Sequence, residues 1–203
     1  MSEIVTVDKF DDMNLKNKLL RGIYGYGFEK PSTIQQKSIL PLITGKDLIA
    51  QAQSGSGKTG AFCIGALERI DTNINNVQVI ILSHTKELAR QTHTVFNSLG
   101  DFLNIKTALV IGGINLDESK KTLKNGVHAI IGTPGRILHM LNDKCFNIKK
   151  MKLLIIDEAD ELLSTGFEEQ LKNIIEILDN NIQIVLFSAT LSERCLFLTD
   201  FFM

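Results

Sequence analysis

The residues of this chain best suited to chemistry form two short clusters, far apart in sequence. In Ala52-Gln53-Ser54-Gly55-Ser56-Gly57-Lys58-Thr59, a glycine-rich turn precedes a lysine and a hydroxyl. Gly55 and Gly57 let the backbone aim its N–H groups inward, and a following helix would add its positive end. Lys58 supplies a point charge for the β- and γ-phosphates, and the Thr59 hydroxyl suits Mg²⁺. The second cluster, Asp157-Glu158-Ala159-Asp160, follows the apolar run Leu153-Leu154-Ile155-Ile156. Asp157 suits the other Mg²⁺ contact, partly through water, and Glu158 suits a group that orients or deprotonates the attacking water. Together the clusters imply ATP with Mg²⁺, and Lys58, Asp157 and Glu158 as catalytic groups. Ala52 replaces the usual first glycine, which leaves the turn-forming glycines intact.

Residues so distant in sequence need a scaffold to bring them together. Apolar runs of strand length recur at Asp47 to Gln51, Val77 to Ser83, Lys106 to Ile111, Val127 to Gly132, Met151 to Asp157 and Ile182 to Ser188. They are runs rather than alternations, as in strands covered on both faces. Between them lie amphipathic stretches. Leu171, Ile174, Ile175 and Leu178 follow helical spacing, as do Leu88, Val95 and Leu99, with Gly100 placed to stop that helix. Pro134 suits the first turn of a helix carrying Ile137, Leu138 and Leu141. This alternation predicts an α/β fold with a mostly parallel sheet and helices on both faces. Ligands of such sheets bind beyond the C-terminal strand ends, and both clusters fall just past strand-like runs.

Composition narrows the class. With 203 residues, 44% hydrophobic and 22% charged, the chain has the make-up of an ordinary globular protein. No apolar run approaches the roughly 20 residues that span a bilayer, and Met1-Ser2-Glu3-Ile4 lacks a secretory start. No membrane partner is expected. Cys63, Cys145 and Cys195 show no metal spacing, which favours reduced thiols and a cytoplasmic or nuclear location. A net charge of -1 gives no bulk attraction for a polyanion, so any nucleic acid must be held by local contacts. His93, His128 and His139 lack ligand spacing and read as ordinary surface or core residues.

At this point the residues resemble the DEAD-box RNA helicases over essentially the whole chain. Asp157-Glu158-Ala159-Asp160 is the naming motif, and Ser188-Ala189-Thr190 matches the motif that couples nucleotide state to RNA binding. Thr133-Pro134-Gly135-Arg136 and Gly112-Gly113 match RNA-backbone motifs. Tyr26-Gly27-Phe28-Glu29-Lys30-Pro31-Ser32-Thr33-Ile34-Gln35, with Phe10 upstream, looks like the Q motif. The resemblance implies a RecA-like P-loop domain in which Phe28, Lys30 and Gln35 join residues 52–59 in holding ATP. It implies Asp160, Ser188 and Thr190 as coupling residues. It also assigns sequence-independent RNA contacts to Thr85, Lys86, Gly113, Thr133 and Arg136. The wording is closest to the translation-initiation branch, which implies a translation-initiation scaffold protein as a partner.

There are departures. The family's Pro-Thr-Arg-Glu-Leu-Ala appears as His84-Thr85-Lys86-Glu87-Leu88-Ala89. Lysine keeps the charge but loses the planar fork that grips a phosphate twice. His84 in place of proline predicts a looser turn into that helix, and Ile114 stands where a polar residue is common. Residues 1–36 read as a segment packed on the core and 37–203 as the RecA-like domain. The arginine-bearing motifs of a second such domain are absent. The chain therefore reads as an N-terminal half, nearly inert alone, with Phe201-Phe202-Met203 about where a linker would begin. On the phosphate site alone, a DNA helicase, a P-loop kinase and a non-enzymatic docking module stay open.

Overall fold

The computed structural model describes residues 6–179, 181–193 and 195–196. The chain-end residues Phe201-Phe202-Met203 and the start of the 1–36 segment lie outside them. Six strands form one sheet: β1 Leu48–Gln51, β2 Val79–Leu82, β3 Thr107–Val110, β4 Ala129–Gly132, β5 Leu153–Ile156 and β6 Gln183–Ser188. Each lies within a predicted run. Their order is β1-β6-β5-β2-β4-β3, and every pairing is parallel.

The helices follow from one rule, that strand–helix–strand crossovers are right-handed. The chain leaves β1 for β2 through α3 (Lys58–Arg69), and β2 for β3 through α4 (Lys86–Leu99). Both steps run the same way across the sheet, and both helices pack on one face with α1 (Asn17–Gly25) and α2 (Thr33–Ile43). From β3 the direction reverses. Consequently α5 (Leu116–Lys124), α6 (Pro134–Asn142), α7 (Ala159–Ser164) and α8 (Glu168–Ile177) cover the opposite face. Strand side chains divide by parity: Val79, Ile81 and Ile155 enter the first core, while Ile80, Leu82 and Ile156 enter the second. Both faces of the central strands are thus dry, which is why these strands read as unbroken β-branched and leucine runs.

Two helix expectations need correction. The buried stripe of α4 is Ala89, Thr92, Phe96 and Leu99, whereas Leu88 and Val95 are only half-buried at its margin. Gly100 does follow the last turn, but its φ of -88° is not left-handed. Its small size serves packing, since a Cβ there would lie 2.9 Å from Leu67 Cδ2. The expected looseness before α4 is also absent, because Thr85 caps the helix by accepting from the Leu88 N–H at 3.1 Å. Phe10, Leu19 and Ile23 belong to the same apolar cluster as the sheet.

Candidate functional site

The loop after β1 forms the first half of the site. Gly55 and Gly57 have φ of 77° and 99°, conformations that a side chain would strain, and Gly57 leads into α3. Lys58 is 7% exposed and its Nζ donates to the Ala52 carbonyl at 2.7 Å, so the ammonium spans the loop's mouth. Thr59 occupies the first turn of α3. Gln53, Ser54 and Gly55 are exposed, and Ser56 Oγ is buried without a hydrogen-bond partner among the described residues.

Register brings the carboxylates to this loop. β6 lies between β1 and β5, and the Ala52 N–H donates to the Ser188 carbonyl at 3.0 Å just past the strand ends. Asp157, next after β5, is 2% exposed. Burial, followed by the charge of Glu158, pushes its carboxyl up to about 7, while Lys58 pulls the other way. Lys58 and Asp157 therefore share one electrostatic neighbourhood. Among the described residues no group of three His, Cys, Asp or Glu side chains could hold a metal by itself. A buried, under-compensated carboxylate instead fits Mg²⁺ that arrives carried by phosphates.

Gln35 is 3% exposed and ties the Q motif to the loop. Its Oε1 accepts from the Ser32 N–H at 2.9 Å and its Nε2 donates to the Gly57 carbonyl at 3.3 Å. Each end keeps one hydrogen-bonding position, enough to face an adenine edge. Phe28 is half-buried, stacked on Phe10 with centroids 6.3 Å apart and capped edge-on by Tyr26 at 5.0 Å. Lys30 is exposed. Gly60 was missed in the sequence. A Cβ there would lie 2.7 Å from Gln35 Nε2 and 2.9 Å from the Phe28 ring, so its hydrogen makes room for both.

A cleft of roughly 620 Å³ opens beside this site, lined by Thr85, Lys86, Gly112, Thr133, Gly135 and Arg136 together with His84, Glu87, His139 and Phe167. Four connections converge here, and they bring together the residues predicted to touch RNA, with Gly113 at the rim beside Lys86. The Lys86 side chain crosses the Gly112-Gly113 turn, its Nζ 3.9 Å from where a Gly113 Cβ would be. Arg136 Nη2 donates to the Ile114 carbonyl at 2.9 Å, so the apolar residue contributes its backbone. His139 and Phe167 carried no sequence signal. His139 shares a helix face with Arg136, one turn on, but Phe167 arrives only through the α7–α8 turn.

Asp160 ties the end of β5 to the end of β6. Its Oδ2 accepts from the Thr190 N–H at 3.0 Å and the Thr190 hydroxyl at 2.9 Å, and Ser188 Oγ accepts from the Asp160 N–H at 3.3 Å. Burial opposes this charge, but the bonds from Thr190 and Ser188 outweigh it and hold the carboxyl below its usual range. Ser188 in turn donates to the Thr190 carbonyl at 2.7 Å.

Comparison with known proteins agrees with this geometry. A family model described as DEAD/DEAH box helicase matches residues 32–196. The chain is 49% identical over 202 residues to eukaryotic initiation factor 4A of Dictyostelium discoideum, covering 100% of this chain and 50% of that protein. It is 47% identical to the Drosophila melanogaster factor, covering 97% and 49%. Among solved structures, a DEAD box protein from the hyperthermophile Methanococcus jannaschii superposes with TM-score 0.94 at 38% identity, covering 98% of this chain and 55% of the other. S. cerevisiae Dbp5 bound to RNA and ADP BeF3 superposes with TM-score 0.88 at 34% identity, covering 97% and 50%. The chain thus spans about half the length of the curated relatives it matches.

Proposed function

Since the chain belongs to the DEAD/DEAH box helicase family, we propose that it is the ATP- and RNA-binding half of an RNA-stimulated ATPase that opens short RNA duplexes. The carrying observation is that one turn after β5 serves both halves of the site. Asp157 faces the Lys58 neighbourhood, and Glu158, the next residue, lies 3.1 Å from His84 in the cleft wall.

The loop N–H groups and Lys58 bind the triphosphate, with Gln35 and Phe28 receiving the adenine. Thr59 and Asp157 would hold Mg²⁺, which would supply charge neutralisation for the phosphates. Glu158 orients the attacking water. Thr85, Lys86, Gly113, Thr133 and Arg136 take the RNA backbone without reading sequence. The Asp160–Ser188–Thr190 bonds carry nucleotide state to that cleft. Arginines from a second RecA-like domain complete the site, a contribution worth roughly 10³ to 10⁵ in rate in related chemistry. The initiation-factor relatives support a role in translation, with a scaffold protein of that machinery as partner.

The test is ATP turnover with and without single-stranded RNA, by this chain and by a longer protein that includes a second such domain. The chain alone should capture Mg·ATP yet turn over near background, and the longer protein should respond to RNA. Strong RNA-stimulated turnover by the chain alone would refute the half-site reading.

A further inference from the structure

His84 makes a contact that the family's proline at this place could not make. β2 and β5 are neighbours in parallel register, with Leu82 beside Ile156. The second residues past these strand ends, His84 and Glu158, therefore emerge side by side. His84 Nδ1 lies 3.1 Å from Glu158 Oε2, with both side chains partly buried. Nδ1 has no aligned hydrogen-bond partner among the described residues, so this carboxylate is its electrostatic compensation. Glu158 is itself held in an unusual state, with φ 50° and ψ 56° at the start of α7. His84 also lines the cleft, with Thr85, Lys86 and Arg136.

We propose that His84 is a positioning residue that links RNA occupancy of the cleft to the orientation of the Glu158 carboxylate. The inference rests on reading the cleft as the RNA site and Glu158 as the residue that orients water. Asp160 already joins Thr190 to the carboxylate motif through backbone and hydroxyl. His84 adds a direct side-chain route on the opposite side of the same turn. An RNA phosphate set between Lys86 and Arg136 would meet the imidazole wall, and a shift of that ring would move the carboxylate it touches. Glu87 and His139 also line the cleft, so the ring sits among charges of both signs.

The test compares His84→Ala and His84→Asn in the complete ATPase, since asparagine keeps a donor at nearly the same reach. His84→Ala should lower RNA-stimulated kcat about five- to ten-fold, leaving the KM for ATP and the half-saturating RNA within about two-fold. His84→Asn should restore most of the rate. In this chain itself, the carboxyl carbon resonance of Glu158, assigned with Glu158→Gln, should move when a ten-nucleotide uridine RNA binds. It should stay still in His84→Ala. Equal losses in both variants, a change confined to RNA affinity, or a resonance that moves equally in wild type and His84→Ala would overturn the link. Anisotropy of the labelled RNA in the same samples separates this from failure of the premise. If wild type binds no RNA, the cleft assignment falls and the inference falls with it.

Discussion

The phosphate loop and the neighbouring cleft share one sheet edge but are built in opposite ways. The loop is contiguous, 52–59, and its shape is set by backbone: two left-handed glycines and a buried lysine folded across the mouth. The cleft borrows its walls from four connections, and its cations are exposed, as Lys86 is, or partly committed to a carbonyl, as Arg136 is. A site made from backbone and one buried charge should fail all at once. A site assembled from several solvated side chains should weaken by degrees.

The largest effect should therefore come from Lys58→Ala. It removes the ammonium facing both the loop and Asp157, and should cut Mg·ATP affinity by at least ~100-fold, about 2.7 kcal/mol. RNA affinity should change less than about two-fold, and titration calorimetry with each ligand separates the two. Comparable losses for both ligands would break the contrast. Gly60→Ala comes next. Its methyl would press on Gln35 and Phe28, and an overpacking cost of about 1.4 kcal/mol, near the low end of the usual range, corresponds to roughly ten-fold weaker ATP binding. Preference for ATP over GTP should narrow with it. In the cleft, Lys86→Ala and Arg136→Ala should each weaken RNA by a few-fold. Each should also lower the slope of log affinity against log salt by about 0.7, the share of one phosphate contact on a single strand.

The same contrast explains what the sequence made visible. The phosphate loop and the naming carboxylates are contiguous strings whose order carries their chemistry. The six strands were visible because burial on both faces leaves apolar runs, and each observed strand falls inside its run. The inward face of α4 was misread because Thr92 is fully buried while Leu88 and Val95 are not, an inversion of polarity that only packing reveals. Gly60 and Phe167 depend on what stands across from them, and no local spacing encodes that. The proximity of His84 to Glu158 needs the register of β2 on β5, which follows from the strand order rather than from either segment.

Acidity offers a sharper test of the buried half alone. The Asp157 carboxyl rises from 3.8 to about 7 on folding without nucleotide. Between those values the folded state keeps a proton that the unfolded chain has released, so stability should fall as pH rises from about 4 to 7 and level off above. Urea melts across that range should show the decline, and Asp157→Asn should flatten it. A rise in stability over the same window would mean that Asp157 is already charge-compensated in the free protein.

The smallest shift expected is a thermal one, where the two regions meet. Glu158 occupies the left-handed region at φ 50°, ψ 56°, where a side chain with a Cβ costs roughly 1–2 kcal/mol. Asparagine tolerates that conformation better because its short amide can bond to local backbone. Glu158→Asn should therefore raise the melting temperature by about 2 °C, the shift expected for somewhat under 1 kcal/mol in a chain of this size. RNA-stimulated turnover should collapse in the same variant. Stability gained as activity is lost would show that the strain is kept for the carboxylate's position. An unchanged or lower melting temperature would show instead that the contact with His84 already repays the strained backbone, making the junction between loop and cleft a source of stability.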